Sequence, residues 1–156
     1  MVRTLVPALF VALAPGLRAQ TTCGPAVPDA AARAEVESAL VRYDSLVRRT
    51  VGDSIAAMYT EDGEMLGTNM AAVRGPAAIG AFLAQYRGFH VDTQAMRSEA
   101  ITMAGSEATQ WGTWRQAVTP PGQPMVHVQG RFVAHWIRGC DGRWRLRRLL
   151  TQPTPP

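Results

Sequence analysis

No lysine occurs in the 156-residue sequence, and there are only 2 cysteines and 3 histidines. Each scarcity removes a class of function. Two separated cysteines and scattered histidines supply no zinc-ligand spacing, so no metal site is expected. There is no Gly-rich phosphate loop, no nucleophile elbow and no neighbouring His and Cys, which leaves no sign of a nucleotide, a covalent hydrolase or any other cofactor chemistry. No apolar run approaches the roughly 20 residues that cross a bilayer as a helix. All 16 basic residues are arginine, against 12 Asp and Glu, for a net charge of +4. So small a surplus, spread along the chain, is no footprint for nucleic acid.

What is present begins with a leader. Arg3, the apolar stretch from Leu5 to Ala14 and the small-residue site Leu17-Arg18-Ala19 read as a secretory signal peptide over residues 1–19, cleaved before Gln20. The stretch contains Pro7 and is too short for an anchor. The expected destination is secreted or periplasmic, with no membrane association after cleavage. Losing Arg3 and Arg18 also halves the basic surplus. In an oxidising compartment Cys23 and Cys140 are expected to bond rather than remain two surface thiols. Such a bridge would tie the N-terminal segment to the turn Gly139-Cys140-Asp141-Gly142 and add about 2–4 kcal/mol.

Beyond the leader there is length for one domain and one core, not two. Residues 20–28 are rich in Thr, Gly and Pro and read as an extended lead-in. Asp29 is a helix N-cap, and Val36, Leu40, Tyr43 and Val47 recur at four, three and four, one face of a helix ending near Thr50. Gly52-Asp53 opens a short second helix carrying Ile55, Met58 and Tyr59, ended by the polar run Thr60 to Gly63. Gly75-Pro76 starts a third, with Pro where its missing N–H costs nothing, and with Ile79, Phe82, Leu83 and Tyr86 on its apolar face. After Gly88 the period changes toward two, giving strands near 91–104, 106–118, 126–138 and 143–150. Pro120-Pro121-Gly122 and Gly139 to Gly142 turn the chain between the last three. No repeat is found. The pattern is α+β, three N-terminal helices on one face of a curved antiparallel sheet, spanning 29–150 and followed by a flexible Pro-rich tail, 151–156.

Strand parity sorts the side chains further. In 126–137 the even set, Val126, Val128, Gly130, Phe132, Ala134 and Trp136, is apolar and expected to face the helices. His127, Gln129, Arg131 and His135 then lie on the outer face, unless a bulge at Gly130 turns His127 inward. In the last strand Trp144, Leu146, Arg148 and Leu150 share the inward parity. An inward Arg148 needs a partner: either an ion pair with Glu64 or Asp44, or a ligand carboxylate or enolate. Trp111 and Trp114 have opposite parity, so only one lines the interior. Asp44 forms an i, i+4 pair with Arg48 yet adjoins Tyr43 at the pocket rim.

Five segments in order carry a family resemblance: Ser54 to Gly63, Arg74-Gly75-Pro76-Ala77-Ala78-Ile79, Gly112-Thr113-Trp114, Gly130-Arg131-Phe132 through Trp136, and Asp141-Gly142-Arg143-Trp144. Over roughly residues 30–150 the chain resembles the ketosteroid isomerase-like and SnoaL-like branch of the nuclear transport factor 2 superfamily, and within it secreted members of unassigned activity. The resemblance implies a cone-shaped α+β fold with an internal pocket. It also tests one chemistry. Isomerases of this fold use a carboxylate base with a tyrosine and a protonated aspartic acid as oxyanion hole. Tyr43 falls on that tyrosine, but the base position falls on Gly67 and the aspartic acid on Ala134, so steroid isomerisation by that route is not expected.

The fold hosts many activities, so function has to be read from the site. The leading expectation is a small, largely apolar molecule held by Tyr43, Tyr59, Phe132, Trp136 and Arg148. An alternative is an acid/base isomerase, cyclase or hydratase using Tyr43, Asp44 and His127. A third is a non-catalytic homodimeric module joined through the outer sheet face bearing His127, Arg131 and His135.

Overall fold

A computed structural model describes residues 29–155. The first helix, α1 (Asp29–Arg48), follows from its apolar stripe. Ala32, Val36, Leu40, Tyr43 and Leu46 are buried on one face, and Asp29 and Arg48 complement the helix dipole at the two ends. It closes in a Schellman arrangement: Val51 N–H donates to Leu46 O at 3.2 Å and Thr50 N–H to Val47 O at 2.9 Å. Thr50 therefore adopts a positive φ of 52°, uncommon for a β-branched residue.

Helix α2 (Gly52–Ala56) is only five residues long. Tyr59 and the run Thr60 to Gly63, expected to finish that helix, instead enter strand β1 (Tyr59–Gly67). The spacing of Ile55, Met58 and Tyr59 fits a helix, but pairing of Tyr59 with Leu146 decides the outcome. Tertiary context overrides local periodicity here. A short β2 (Val73–Arg74) returns along β1, with Glu64 opposite Arg74. Gly75, at φ 77°, then turns the chain into α3 (Gly75–Leu83), with proline in the first turn as expected. A 3₁₀ turn covers Ala84–Tyr86.

Four long strands follow: β3 (His90–Ala104), β4 (Glu107–Thr119), β5 (Val126–Arg138) and β6 (Trp144–Pro153). They form the expected antiparallel meander. The sheet as a whole is mixed, however, with order β2-β1-β6-β5-β4-β3 and a parallel β1–β6 pair. The result is an α+β fold in which a six-stranded sheet carries few helices, and the two strands between α2 and α3 separate elements expected to be consecutive. No helix among the described residues is long and apolar enough to cross a membrane.

The end of the chain also differs from expectation. Residues 151–153 belong to β6, Pro153 lies opposite Gly130, and Thr154 N–H donates to Gln129 O at 2.9 Å. Proline is tolerated because it ends the strand. A one-residue bulge earlier in β6 matters more. His135 pairs with Arg148 and Trp136 with Leu146, leaving Arg147 unmatched. The parity flips there, so Leu146 and Leu149 are buried while Arg148 and Leu150 face outward.

Ile79, Phe132, Ala134, Trp136, Leu146 and Leu149 pack with the α1 stripe in one core. The Trp136 indole N–H donates to buried Gln110 Oε1 at 2.9 Å, which keeps the largest core side chain satisfied.

Candidate functional site

A cavity of about 340 Å³ opens between the end of α1, the start of α2, strands β3 and β4, and the segment after α3. Its wall follows from period-two geometry. Trp114, Gln116 and Val118 alternate along β4 and point the same way, and their partners across β3 are Met96, Gln94 and Val91. Two side-chain amides, Gln94 and Gln116, thus stand as cross-strand neighbours in a mainly apolar wall. Tyr43 reaches the cavity from the inward stripe of α1, with Thr50 and Ile55 beside it; Met65 and Thr151 come from β1 and β6. Tyr86 and Phe89 also line it, and their rings meet edge to face at 5.4 Å. Phe82 extends this aromatic series, 5.7 Å from Tyr86.

Burial sets the electrostatics. The Tyr43 hydroxyl is pushed up to about 12, first by desolvation and further by the Asp44 charge, against a lowering interaction with Tyr59. Tyr59, behind Tyr43, is raised well above 10.0 by burial and then by the neighbouring Tyr43. The two hydroxyls are neighbours, but Tyr59 Oη has no well-directed hydrogen bond and stays unsatisfied. Asp44 is raised from 3.8 by desolvation, opposed by the Gln94 side chain, the Met96 backbone N–H and Arg48. These neighbours leave Asp44 Oδ1 buried without a proper partner.

Of the residues singled out from the sequence, Tyr43 is on the wall. Tyr59 is one layer behind it. Phe132 and Trp136 are packed in the core, not on the wall. Arg148 points outward and donates from Nε to Glu64 Oε2 at 2.8 Å, the ion-pair alternative of the two readings. Asp44 backs the wall through Gln94. His127 is exposed on the outer face, as its parity implies, so Tyr43, Asp44 and His127 do not converge. His135, also outward, lies 3.1 Å from Glu107. Trp114 is the tryptophan that lines the cavity, and Trp111 is on the opposite face. Cys140 sits in the turn before β6, and no free cysteine occurs among the described residues; Cys23 lies outside them. The signal peptide and lead-in also fall outside the described residues.

The sequence reading missed Gln94 and Gln116. Their signal was available: each occupies an inward position of a strand otherwise bearing Met96 or Trp114, where a polar residue calls for a reason. A second depression, between α1 and the β5–β6 turn, is lined by Glu35, Arg42, Arg143 and Trp144. Glu35 Oε2 accepts there from Arg138 Nε at 3.2 Å and Trp144 Nε1 at 2.9 Å, a structural link between helix and sheet.

A search of curated proteins finds no match. Solved structures give the fold. A ketosteroid isomerase-like protein from Erwinia carotovora atroseptica is 17% identical, with TM-score 0.71, covering 79% of this chain and 96% of that one. A conserved protein from Planctomyces limnophilus is 18% identical, with TM-score 0.73, covering 81% and 99%. ActVI-ORFA from Streptomyces coelicolor is 20% identical, with TM-score 0.67, covering 79% and 97%. These likenesses place the chain in the ketosteroid isomerase and nuclear transport factor 2-like fold. The SnoaL-like domain model matches residues 28–149, and by that match the chain belongs to the SnoaL-like domain family.

Proposed function

We propose that this protein binds a small, largely apolar molecule in the cone-shaped enclosure between α1 and the sheet. The observation that carries the reading is the wall itself: Trp114, Met96, Val91 and Phe89 supply apolar surface, while Tyr43, Gln94 and Gln116 supply a few convergent polar groups. That composition, at about 340 Å³, is the usual make-up of a ligand site. Catalysis by acid and base has less support, because no carboxylate or imidazole among the described residues lines the cavity beside Tyr43. The test is thermal unfolding against a library of apolar ring compounds. A binder raises Tm, and Met96→Trp, which fills the cavity, cancels the shift. A library with no stabilising member defeats the proposal.

The same reading includes export and a Cys23–Cys140 bridge, supported by the leader and by the lack of a free thiol at Cys140. Intact mass of the exported protein tests both: it should begin at Gln20 and resist thiol labelling until reduced.

A homodimer joined through the outer sheet face is supported by a different observation. Trp111, Val133, Leu150 and Leu66 are cross-strand neighbours on that face, and Val133 and Leu150 are 43% and 41% exposed. Ion pairs flank this row, Arg131–Glu99 on one side and Arg148–Glu64 on the other. A contiguous apolar row with a polar rim is the pattern of an interaction surface. Val133→Glu should yield a monomer by mass in solution, and an unchanged mass would remove this face from consideration.

A further inference from the structure

Building on the pocket reading, we infer that the cavity selects an uncharged ligand and discriminates against carboxylates of the same shape. The wall side chains that carry a polar group are Tyr43, Thr50, Tyr86, Gln94, Trp114, Gln116 and Thr151, and among the described residues no lining group carries a formal charge. The cation that parity placed inside, Arg148, is turned outward by the bulge at Arg147 and is already paired with Glu64 at 2.8 Å. On the far side of Gln94 stands a carboxyl group, that of Asp44. A ligand carboxylate seated against Gln94 and Gln116, away from the exposed mouth at Thr50 and Tyr86, would therefore lose its hydration without meeting a countercharge on the wall. It would also face, across one side chain, the Asp44 acid, whose charge Arg48 only partly offsets.

A neutral ligand meets different conditions. Each glutamine amide both donates and accepts, so Gln94 and Gln116 together match a carboxamide, a ketone or a hydroxyl. Tyr43 is a neutral hydroxyl at physiological pH, as any tyrosine is, and burial pushes its ionisation still higher, to about 12. The ring faces and edges of Trp114, Tyr86 and Phe89 accommodate a flat ring system. The ligand class is accordingly an uncharged ring compound with one or two oxygen- or nitrogen-bearing substituents.

The test is titration calorimetry of the purified protein with naphthalene, indole and phenanthrene carboxamides, each paired with the carboxylate of the same ring. At least one carboxamide should bind roughly tenfold or more tightly than its carboxylate, since an uncompensated buried charge is costly. Gln116→Arg places a cation on the wall and should reverse the preference. Carboxylates binding as tightly as carboxamides would overturn the selection by charge and leave the pocket reading standing. No binding by any of the compounds would overturn both. A folded Gln116→Arg protein whose preference does not move would show that the ligand sits elsewhere and would also overturn the inference. Should that variant not fold, the paired titrations of the unaltered protein decide alone.

Discussion

The Asp44 carboxyl on α1 backs onto the Gln94 side chain on β3, and it does so with Oδ1 buried and unpartnered. A helix acid thus supports the strand residue that faces the cavity. The arrangement has a cost, because desolvation raises Asp44 from its ordinary 3.8. An acid whose folded value is raised binds a proton more readily in the folded state than in the unfolded one. Its unfavourable contribution is absent below 3.8 and develops as pH rises through the raised folded value. Asp44→Asn should therefore increase stability at neutral pH and remove that part of the acid-side pH dependence. Urea unfolding of both proteins across the acid range measures the difference; equal slopes would mean that Asp44 is not desolvated.

Thr50 ends α1 in the left-handed region at φ 52°, with its side chain on the cavity wall. A β-branched residue at that C′ position carries strain of about 1 kcal/mol, whereas glycine carries almost none. Thr50→Gly also lets the unfolded chain roam more freely, which offsets part of the gain. A net stabilisation of about 0.5 kcal/mol is expected by urea unfolding. A loss of stability instead would show that the Thr50 hydroxyl bond to Arg49 O, at 2.8 Å, outweighs the strain.

Most of the meander was legible, because the β4–β5 pairing keeps one register throughout, β3 departs from it only near Asp92 and Glu99, and the turn residues stand between the strands. Tyr43 was legible as an inward residue for the equivalent reason in a helix. Arg148 was not. Parity counted from Trp144 puts Arg148 and Leu150 inside, and nothing local announces that Arg147 is skipped by its β5 neighbour. The cause is tertiary: Leu149 finds the core and Arg148 finds Glu64. β1 was hidden similarly, since a spacing of three and four suited a helix until β6 offered a partner.

That bulge makes a sharp comparison between adjacent leucines. Leu149 is 2% exposed and Leu150 41%. Leu149→Ala should cost about 2–5 kcal/mol through the cavity it leaves, and Leu150→Ala less than about 1 kcal/mol at dilutions that disfavour self-association. Denaturant midpoints for the two variants check the register directly. The reverse ranking would restore simple alternation, return Arg148 to the interior, and remove the argument for a charge-free cavity.

Gly130 carries the last prediction, because a glycine mid-strand could have marked a bulge that turned His127 inward. The β4–β5 register runs without a break through this residue and the β5–β6 register begins at it, opposite Pro153, so it is not a bulge. It is a point of close approach. A Cβ there would collide with the Gln152 carbonyl of β6 and would lie 2.8 Å from the Trp114 indole nitrogen. That nitrogen donates to Arg131 O at 3.2 Å, and Trp114 also lines the cavity. Gly130→Ala must then part β5 from β6, because moving the indole does not relieve the clash with the Gln152 carbonyl, and the separate contact with Trp114 presses on the indole as well. Both effects are expected: a loss of about 1–3 kcal/mol from overpacking, and weakened ligand binding through the moved Trp114. Unfolding and ligand titration of the same variant separate the two. A stability loss with unaltered affinity would mean that only the strands part, and that Trp114 holds its place on the wall independently of Gly130.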